Sequence, residues 1–364
     1  MNDAILTNEE RVVLSLRDLY RRFGYLPYRM RKFEEYELYI RNKEFMVSDR
    51  VIAFNDTNGD LLALKPDVTL SIIKGGEDRP GEKQKVYYDE NVYRVSKSTH
   101  RFKEIRQAGL ECIGDVDLYD IFEVVSLAAE TLSNVGEDYV LTVSHLGVLG
   151  AVLSGVSDDP GFPAAASACI SGKNPHDLAE VCRRYGVTDE GYGVLCRLMQ
   201  AYGEPDEVLS VLRELPVKVD LDEPTKLAKL LRRAPFAGRL RYDFSLTGDV
   251  NYYNGFIFKG FLSGIASDVL SGGQYDRMME KMGRTSRAVG FALYLDLLER
   301  RGNAPDECDV DTLLLYDGAT PPEAVAEKVR ELTGRGVSVS AQHTVPGQLR
   351  YRTLLDLRGG NSSC

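Results

Sequence analysis

No C-x-x-C pair joins any two of the six cysteines (Cys112, Cys169, Cys182, Cys196, Cys308 and Cys364), and only four histidines occur, His100, His145, His176 and His343. Without the close ligand spacing of a zinc site, neither a metal centre nor a cofactor is expected. Long apolar runs are missing too: none approaches the ~20 residues of a membrane span. The opening residues, Met1 to Glu10, are polar and acidic and lack the basic and apolar regions of a signal peptide. A cytoplasmic protein with reduced thiols is therefore expected. Positive charge is in short supply, since 45 lysines and arginines face 55 acidic residues for a net charge of −10. That balance argues against a general nucleic-acid surface.

What is present suffices for a large core. A length of 364 residues predicts two domains, and 43% hydrophobic with 27% charged residues is the composition of an ordinary globular chain.

Thr7 and Glu10, ahead of Val12, Val13, Leu16 and Leu19, form a capping-box pattern for a first helix ending near Gly24. Phe45 to Leu64 reads as strand, turn and strand, with Asn58-Gly59 as the turn signal. Pro66 then leads into a helix over 68–74, where Asp67 and Thr69 serve either as N-cap groups or as ligand groups. Val86 to Val95 reads as one strand interrupted by a turn. In the next strand, Arg106 to Gly114, alternation puts Gln107, Gly109 and Glu111 on one face. If that face is interior, its polar groups need partners, and a bound ligand is one way to supply them; an exposed face or a structural ion pair is the other.

A helix over 120–134 and a strand over 139–143 follow. From about 148 to 237 the spacing is helical, which suggests a helical insertion in which His145, His176, Cys182 and Cys196 are structural. Strand character returns at 240–245. Val250 to Phe258 and Ala266 to Leu270 read as strands, Ser271-Gly-Gly273 as a corner or a place of close approach, and Ala288 to Leu298 as a helix. Residues 303–307 look like a linker to a small C-terminal α/β module with a parallel pair of strands.

These motifs, in this order, resemble the core of a class II aminoacyl-tRNA synthetase, and specifically histidyl-tRNA synthetase, over about residues 5 to 300. Lys65-Pro-Asp-Val-Thr69 resembles the segment that grips the histidine amino group. Tyr93-Arg94 and Arg106 to Glu111 resemble motif 2 and the strand behind it. Asn251 to Phe258 resembles the histidine-specific paired-tyrosine segment. Gly272 to Asp276 resembles the segment carrying the pocket tyrosine, and Ala288 to Leu293 resembles motif 3. The fold implied is α+β: an antiparallel sheet flanked by helices over 1–303, with the insertion at about 148–237 and a truncated anticodon-binding-like module at 304–364.

The departures concern catalysis. The position of the catalytic arginine, counted from Tyr252-Tyr253, falls near Gly248 beside Asp249, and glycine cannot stabilise a developing phosphate charge. The arginine that ends motif 3 is matched by Leu297, which offers no cation to a triphosphate. Val95 and Ser96 stand where the motif 2 glutamate should follow Arg94, and the motif 1 proline is replaced near Arg31. The amino-acid side is kept, and the resemblance implies histidine-binding residues Asp67, Thr69, Arg94, Gln107, Glu111, Tyr253 and Tyr275, with no catalytic residue.

A synthetase fold that retains an amino-acid site and loses its reaction resembles the regulatory subunits of short-form ATP phosphoribosyltransferase. That resemblance implies a non-catalytic protein that activates a catalytic phosphoribosyltransferase subunit in the first step of histidine biosynthesis and contributes to feedback inhibition by histidine. The implied partners are that subunit within a hetero-oligomer, a second copy in a homodimer, and free histidine; tRNA and membrane are not expected. The alternatives are a divergent active histidyl-tRNA synthetase or other adenylate-forming ligase, and an amino-acid-sensing scaffold with another partner.

Overall fold

The structure, a computed structural model, describes residues 6–43, 51–96, 99–248, 252–298 and 308–360. The expected linker at 303–307, Asp249, Cys364 and the beginnings of the 45–64 and 250–258 segments lie outside these residues.

Thr7 caps α1 (Asn8–Arg22): its Oγ1 accepts from the Glu10 N–H at 3.2 Å while its own N–H donates to Glu10 Oε2 at 2.8 Å. The capping box thus satisfies two donors that a helix start leaves unpaired. β1 (Leu26–Pro27), β2 (Phe33–Glu35), α2 (Tyr36–Arg41), β3 (Ala53–Asn55) and β4 (Leu61–Leu64) follow. β3 and β4 form the expected hairpin, in which Gly59 takes the turn at φ +91° and Asp56 Oδ1 accepts from the Asn58 and Asp60 N–H groups. With β2 on its other side, β4 centres a small antiparallel sheet.

Next come α3 (Val68–Gly75), β5 (Lys83–Val95), β6 (Phe102–Gly114), α4 (Leu118–Val135) and β7 (Tyr139–His145). β5 is not interrupted by a turn: its pairing with β6 runs unbroken from Lys83↔Gly114 to Val95↔Phe102. Asp89 and Glu90, at the position of the expected turn, are held within the strand by Arg106 at 2.9 Å and Lys65 at 2.9 Å.

Helical spacing after β7 gives α5 (Leu146–Val156), α6 (Phe162–Ser171), α7 (Pro175–Arg184) and α8 (Asp189–Gln200), then the short β8 (Tyr202–Gly203), α9 (Pro205–Arg213) and α10 (Asp222–Leu231). The chain returns to the sheet as β9 (Leu240–Asp243), β10 (Phe256–Leu262), β11 (Leu270–Gln274), α11 (Asp276–Lys281) and β12 (Arg287–Tyr294), ending in a 3-10 turn at Leu295–Leu297.

The structure departs from the sequence expectations at several points here. Residues 288–294 are strand, not helix: β12 lies between β6 and β11 with both faces covered, so its apolar residues run without alternation and mimic a buried helix. Of the two readings of Ser271-Gly-Gly273 the corner does not hold, since the segment is the middle of β11, and the strands expected at 250–258 and 266–270 begin only at Phe256 and Leu270. Close approach explains the glycines, because a Cβ on Gly272 would overlap the Gly290 carbonyl oxygen and lie 2.5 Å from Phe291 Cβ.

Among the described residues, the large sheet has nine strands, in the order β1-β5-β6-β12-β11-β10-β7-β9-β8. The sheet is mixed rather than antiparallel throughout. β5 to β7 is antiparallel, but β1 joins β5 and β9 joins β7 in parallel. A parallel return from β7 to β9 needs a long crossover, and the helical segment supplies it. One face packs Leu110, Phe258, Phe291 and Leu293 against α1 and α4 (Leu16, Tyr20, Val124, Leu127), and the other packs Val86, Tyr88, Ile113 and Ala288 against α3 and α11 (Leu70, Ile73, Met278, Met279).

The described residues 308–360 belong to a second compact unit. Its strands β13 (Val310–Leu315), β14 (Val339–Gln342) and β15 (Tyr351–Asp356) make a sheet of order β14-β13-β15, with α12 (Pro322–Gly334) between β13 and β14. All its pairings are parallel, one strand more than the expected pair. Among the described residues, no helix is long and apolar enough to cross a membrane.

Candidate functional site

Alternation in β6 turns Gln107 and Glu111 away from α4, toward the side covered by α3 and α11. There they meet the start of α3 and the end of β11 around a cavity of about 410 Å³. Asp67 is the N-cap of α3, its Oδ1 accepting from the Leu70 N–H at 3.0 Å, so the capping reading of this residue is correct and leaves its second oxygen for other contacts. Thr69, two residues on, does not cap. Its hydroxyl donates to Glu111 Oε1 at 2.9 Å, and the Tyr275 hydroxyl donates to Glu111 Oε2 at 2.6 Å. Both oxygens of Glu111 are thereby fixed from two different elements.

Glu111 is only 2% exposed. Burial pushes its carboxyl up to about 8, against the downward pull of the Tyr275 and Thr69 bonds and with a further push from the charge of Asp67. Asp67 is also pushed up, by burial first, with its backbone bonds and the positive field of Arg94 acting the other way. Among the described residues, no lysine or arginine forms an ion pair with either carboxylate. Arg94 donates from Nε to the Pro66 carbonyl at 3.0 Å, and Lys65, 1% exposed, is engaged by Glu90 at 2.9 Å. Two buried acidic groups without a paired cation suit a ligand that brings one.

Aromatic walls complete the space. The Tyr252 ring lies 4.6 Å from that of Tyr253 and 6.1 Å from that of Tyr275. Burial raises Tyr88, Tyr252 and Tyr275 well above the usual phenol range, so all three remain neutral hydrogen-bonding groups. Asp67, Thr69, Arg94, Gln107, Glu111, Tyr253 and Tyr275, the seven residues singled out in the sequence, all line this one cavity.

Several lining groups were not picked out as binding residues in the sequence: Tyr88, Tyr252, Lys259, Asp268, Ser271 and Tyr294. Lys259 pairs with Asp268 at 3.5 Å, and Ser271 Oγ lies 2.8 Å from the Tyr294 hydroxyl. The detectable signal was a lone lysine inside the apolar run Phe256 to Leu262. Gly248 lines the cavity with φ +57°, whereas Leu297 packs into the core beyond it. His145 is structural, as expected: it caps α5, Nδ1 accepting from the Val148 N–H at 3.3 Å, while Nε2 lies 3.5 Å from Glu223.

The sequence matches histidyl-tRNA synthetase over residues 3–298. The chain belongs to the histidyl-tRNA synthetase family. Within that family, it is similar to the ATP phosphoribosyltransferase regulatory subunit of Clostridium kluyveri, 27% identical over 343 residues covering 90% of this chain and 87% of the relative. The protein of the same name from Alkaliphilus metalliredigens is 25% identical over 287 residues, covering 76% of this chain and 72% of the relative. Among solved structures, the fold is shared with an ATP phosphoribosyltransferase regulatory subunit/histidyl-tRNA synthetase from Bacillus halodurans, at TM-score 0.79 and 22% identity, covering 97% of this chain and 94% of that one. A chain of the ATP phosphoribosyl transferase (HisG:HisZ) complex from Thermotoga maritima matches at TM-score 0.63 and 18% identity, covering 79% and 97%. The class II synthetase-like fold expected from the sequence is the fold observed.

Proposed function

We propose that this chain is a regulatory, non-catalytic subunit of ATP phosphoribosyltransferase, the enzyme of the first step of histidine biosynthesis, and that the cavity binds free histidine. The carrying observation is an asymmetry of charge. The acidic, hydrogen-bonded half of the site is assembled at Asp67, Thr69, Gln107, Glu111 and Tyr275, while by the sequence resemblance Gly248 and Leu297 stand where adenylate chemistry needs arginines. The names of its relatives support the same reading.

In this reading the histidine ammonium and imidazole are held by the carboxylates and the tyrosine hydroxyls, in charge-assisted bonds worth about 1.5–3 kcal/mol each. The subunit acts in the cytoplasm as a homodimer joined to catalytic subunits. Histidine inhibits by binding more tightly to the less active arrangement of the complex, since a ligand shifts an equilibrium only by its differential affinity.

The test is phosphoribosyltransferase activity of the cognate catalytic subunit, alone and with this chain, with and without histidine. Activation by the chain and its suppression by histidine are expected, together with no histidine-dependent ATP–pyrophosphate exchange. A catalytic subunit indifferent to this chain overturns the regulatory reading; pyrophosphate exchange overturns the non-catalytic one.

A further inference from the structure

A groove of about 970 Å³ runs between α5 and α6. Leu146, Leu149 and Leu153 form one wall at helical spacing, and Pro163, Ala164 and Ala168 form the other. Four residues, Ser171, Thr247, Gly248 and Tyr253, line both this groove and the cavity at Glu111, so the two spaces adjoin. Gly248 lies at that junction, where a long side chain would stand between the two.

We propose that the groove and the cavity form one extended site for a dipeptide-like ligand, with its free α-amino group at Asp67 and Glu111 and an apolar second residue between α5 and α6. The proposal rests on the amino-acid reading of the cavity and adds the class of ligand that fills what the amino acid leaves open.

Charge and surface match this occupant. The inner end holds two buried carboxylates that no described lysine or arginine pairs, which suits an ammonium. The groove is walled by leucine, alanine and proline, which suits an aliphatic side chain. The space is open because small residues face it: a Cβ added at Gly150 would meet nothing within 4 Å.

The experiment is titration calorimetry of the full chain with L-histidine, L-histidyl-glycine and L-histidyl-L-leucine, repeated on Gly150→Leu and Ala168→Leu. Both positions are exposed on helices, and leucine is a good helix former, so the variants are expected to fold. The wild-type chain should bind histidyl-leucine about tenfold or more tightly than histidyl-glycine, as burial of one aliphatic side chain implies. Each filling variant should erase that preference and leave histidine affinity within about twofold. Equal affinity of the wild-type chain for the two dipeptides overturns the extended site, and so does a variant that weakens histidine as much as histidyl-leucine. Dipeptide binding without histidine binding sustains the groove and removes the free-amino-acid reading; histidine binding without a leucine preference does the reverse; binding of none removes both.

Discussion

Glu111 and Gly290 face each other across β6 and β12, so closely that a Cβ on residue 290 would overlap Glu111 Oε2. Gly290→Ala must therefore expel the carboxylate from its bonds to Thr69 and Tyr275 or spread two central strands. Overpacking of this kind costs about 1–3 kcal/mol. Denaturant unfolding should show that loss, and calorimetry should show histidine affinity falling at least tenfold. Wild-type stability and affinity in this variant would mean that Glu111 has another place to go.

The acidity of Glu111 gives the chain two opposite pH dependences. Its carboxyl titrates near 8 when folded and at an ordinary value near 4.5 when unfolded, so the folded state holds the extra proton between those limits. The stabilisation is complete below about 4.5 and disappears as pH rises toward 8, with a slope of at most ~1.4 kcal/mol per pH unit. A cationic ligand must displace that proton. Its affinity should thus increase with pH up to about 8, by at most tenfold per unit, with close to one proton released on binding. Glu111→Gln should flatten both profiles, measured by thermal unfolding and by calorimetry in buffers of different ionisation enthalpy.

Asp67 has a structural role and a proposed binding role, and two substitutions separate them. An asparagine at this position would cap α3 as well as aspartate does, whereas an alanine loses about 1 kcal/mol. Asp67→Asn should keep or slightly raise stability, because it removes a buried charge, yet weaken histidine binding. Asp67→Ala should lose both. Equal histidine affinity in Asp67→Asn and the wild-type chain would confine this residue to its cap.

Lys65 and Glu90 form an ion pair whose lysine is almost fully buried, at 2.9 Å. Removing Glu90 alone strands the cation and should cost about 3–5 kcal/mol, whereas Lys65→Met combined with Glu90→Leu should recover much of that loss. A double-mutant cycle by urea unfolding measures the coupling, and additive losses would show that the two side chains act independently.

The site was more legible in the sequence than the architecture around it. Gln107 and Glu111 stood out because polar groups at alternate positions of an otherwise apolar strand must face something specific, and Asp67 and Thr69 stood out at the mouth of a helix after a proline. Lys259 was hidden because a lysine between Phe258 and Gly260 is equally compatible with a solvent-facing strand position, and only the pairing of β10 with β11 brings it near Asp268. Periodicity failed at β12, where burial on both faces removes the alternation on which a strand assignment depends. The mixed character of the sheet was invisible for a different reason: whether β9 runs parallel to β7 depends on the path of the helices between them, and no local signal encodes it.

That path also dictates an order of events. β10 lies beside β7 in the sheet, yet the entire α5–α10 segment separates them along the chain. Closing so long a loop as free coil is entropically unfavourable, and contacts of such sequence separation form slowly. Helices form locally and shorten the distance to be spanned. The chain should therefore gain helix early in refolding and acquire the pairing of β7 with β10, and with it a finished cavity, late.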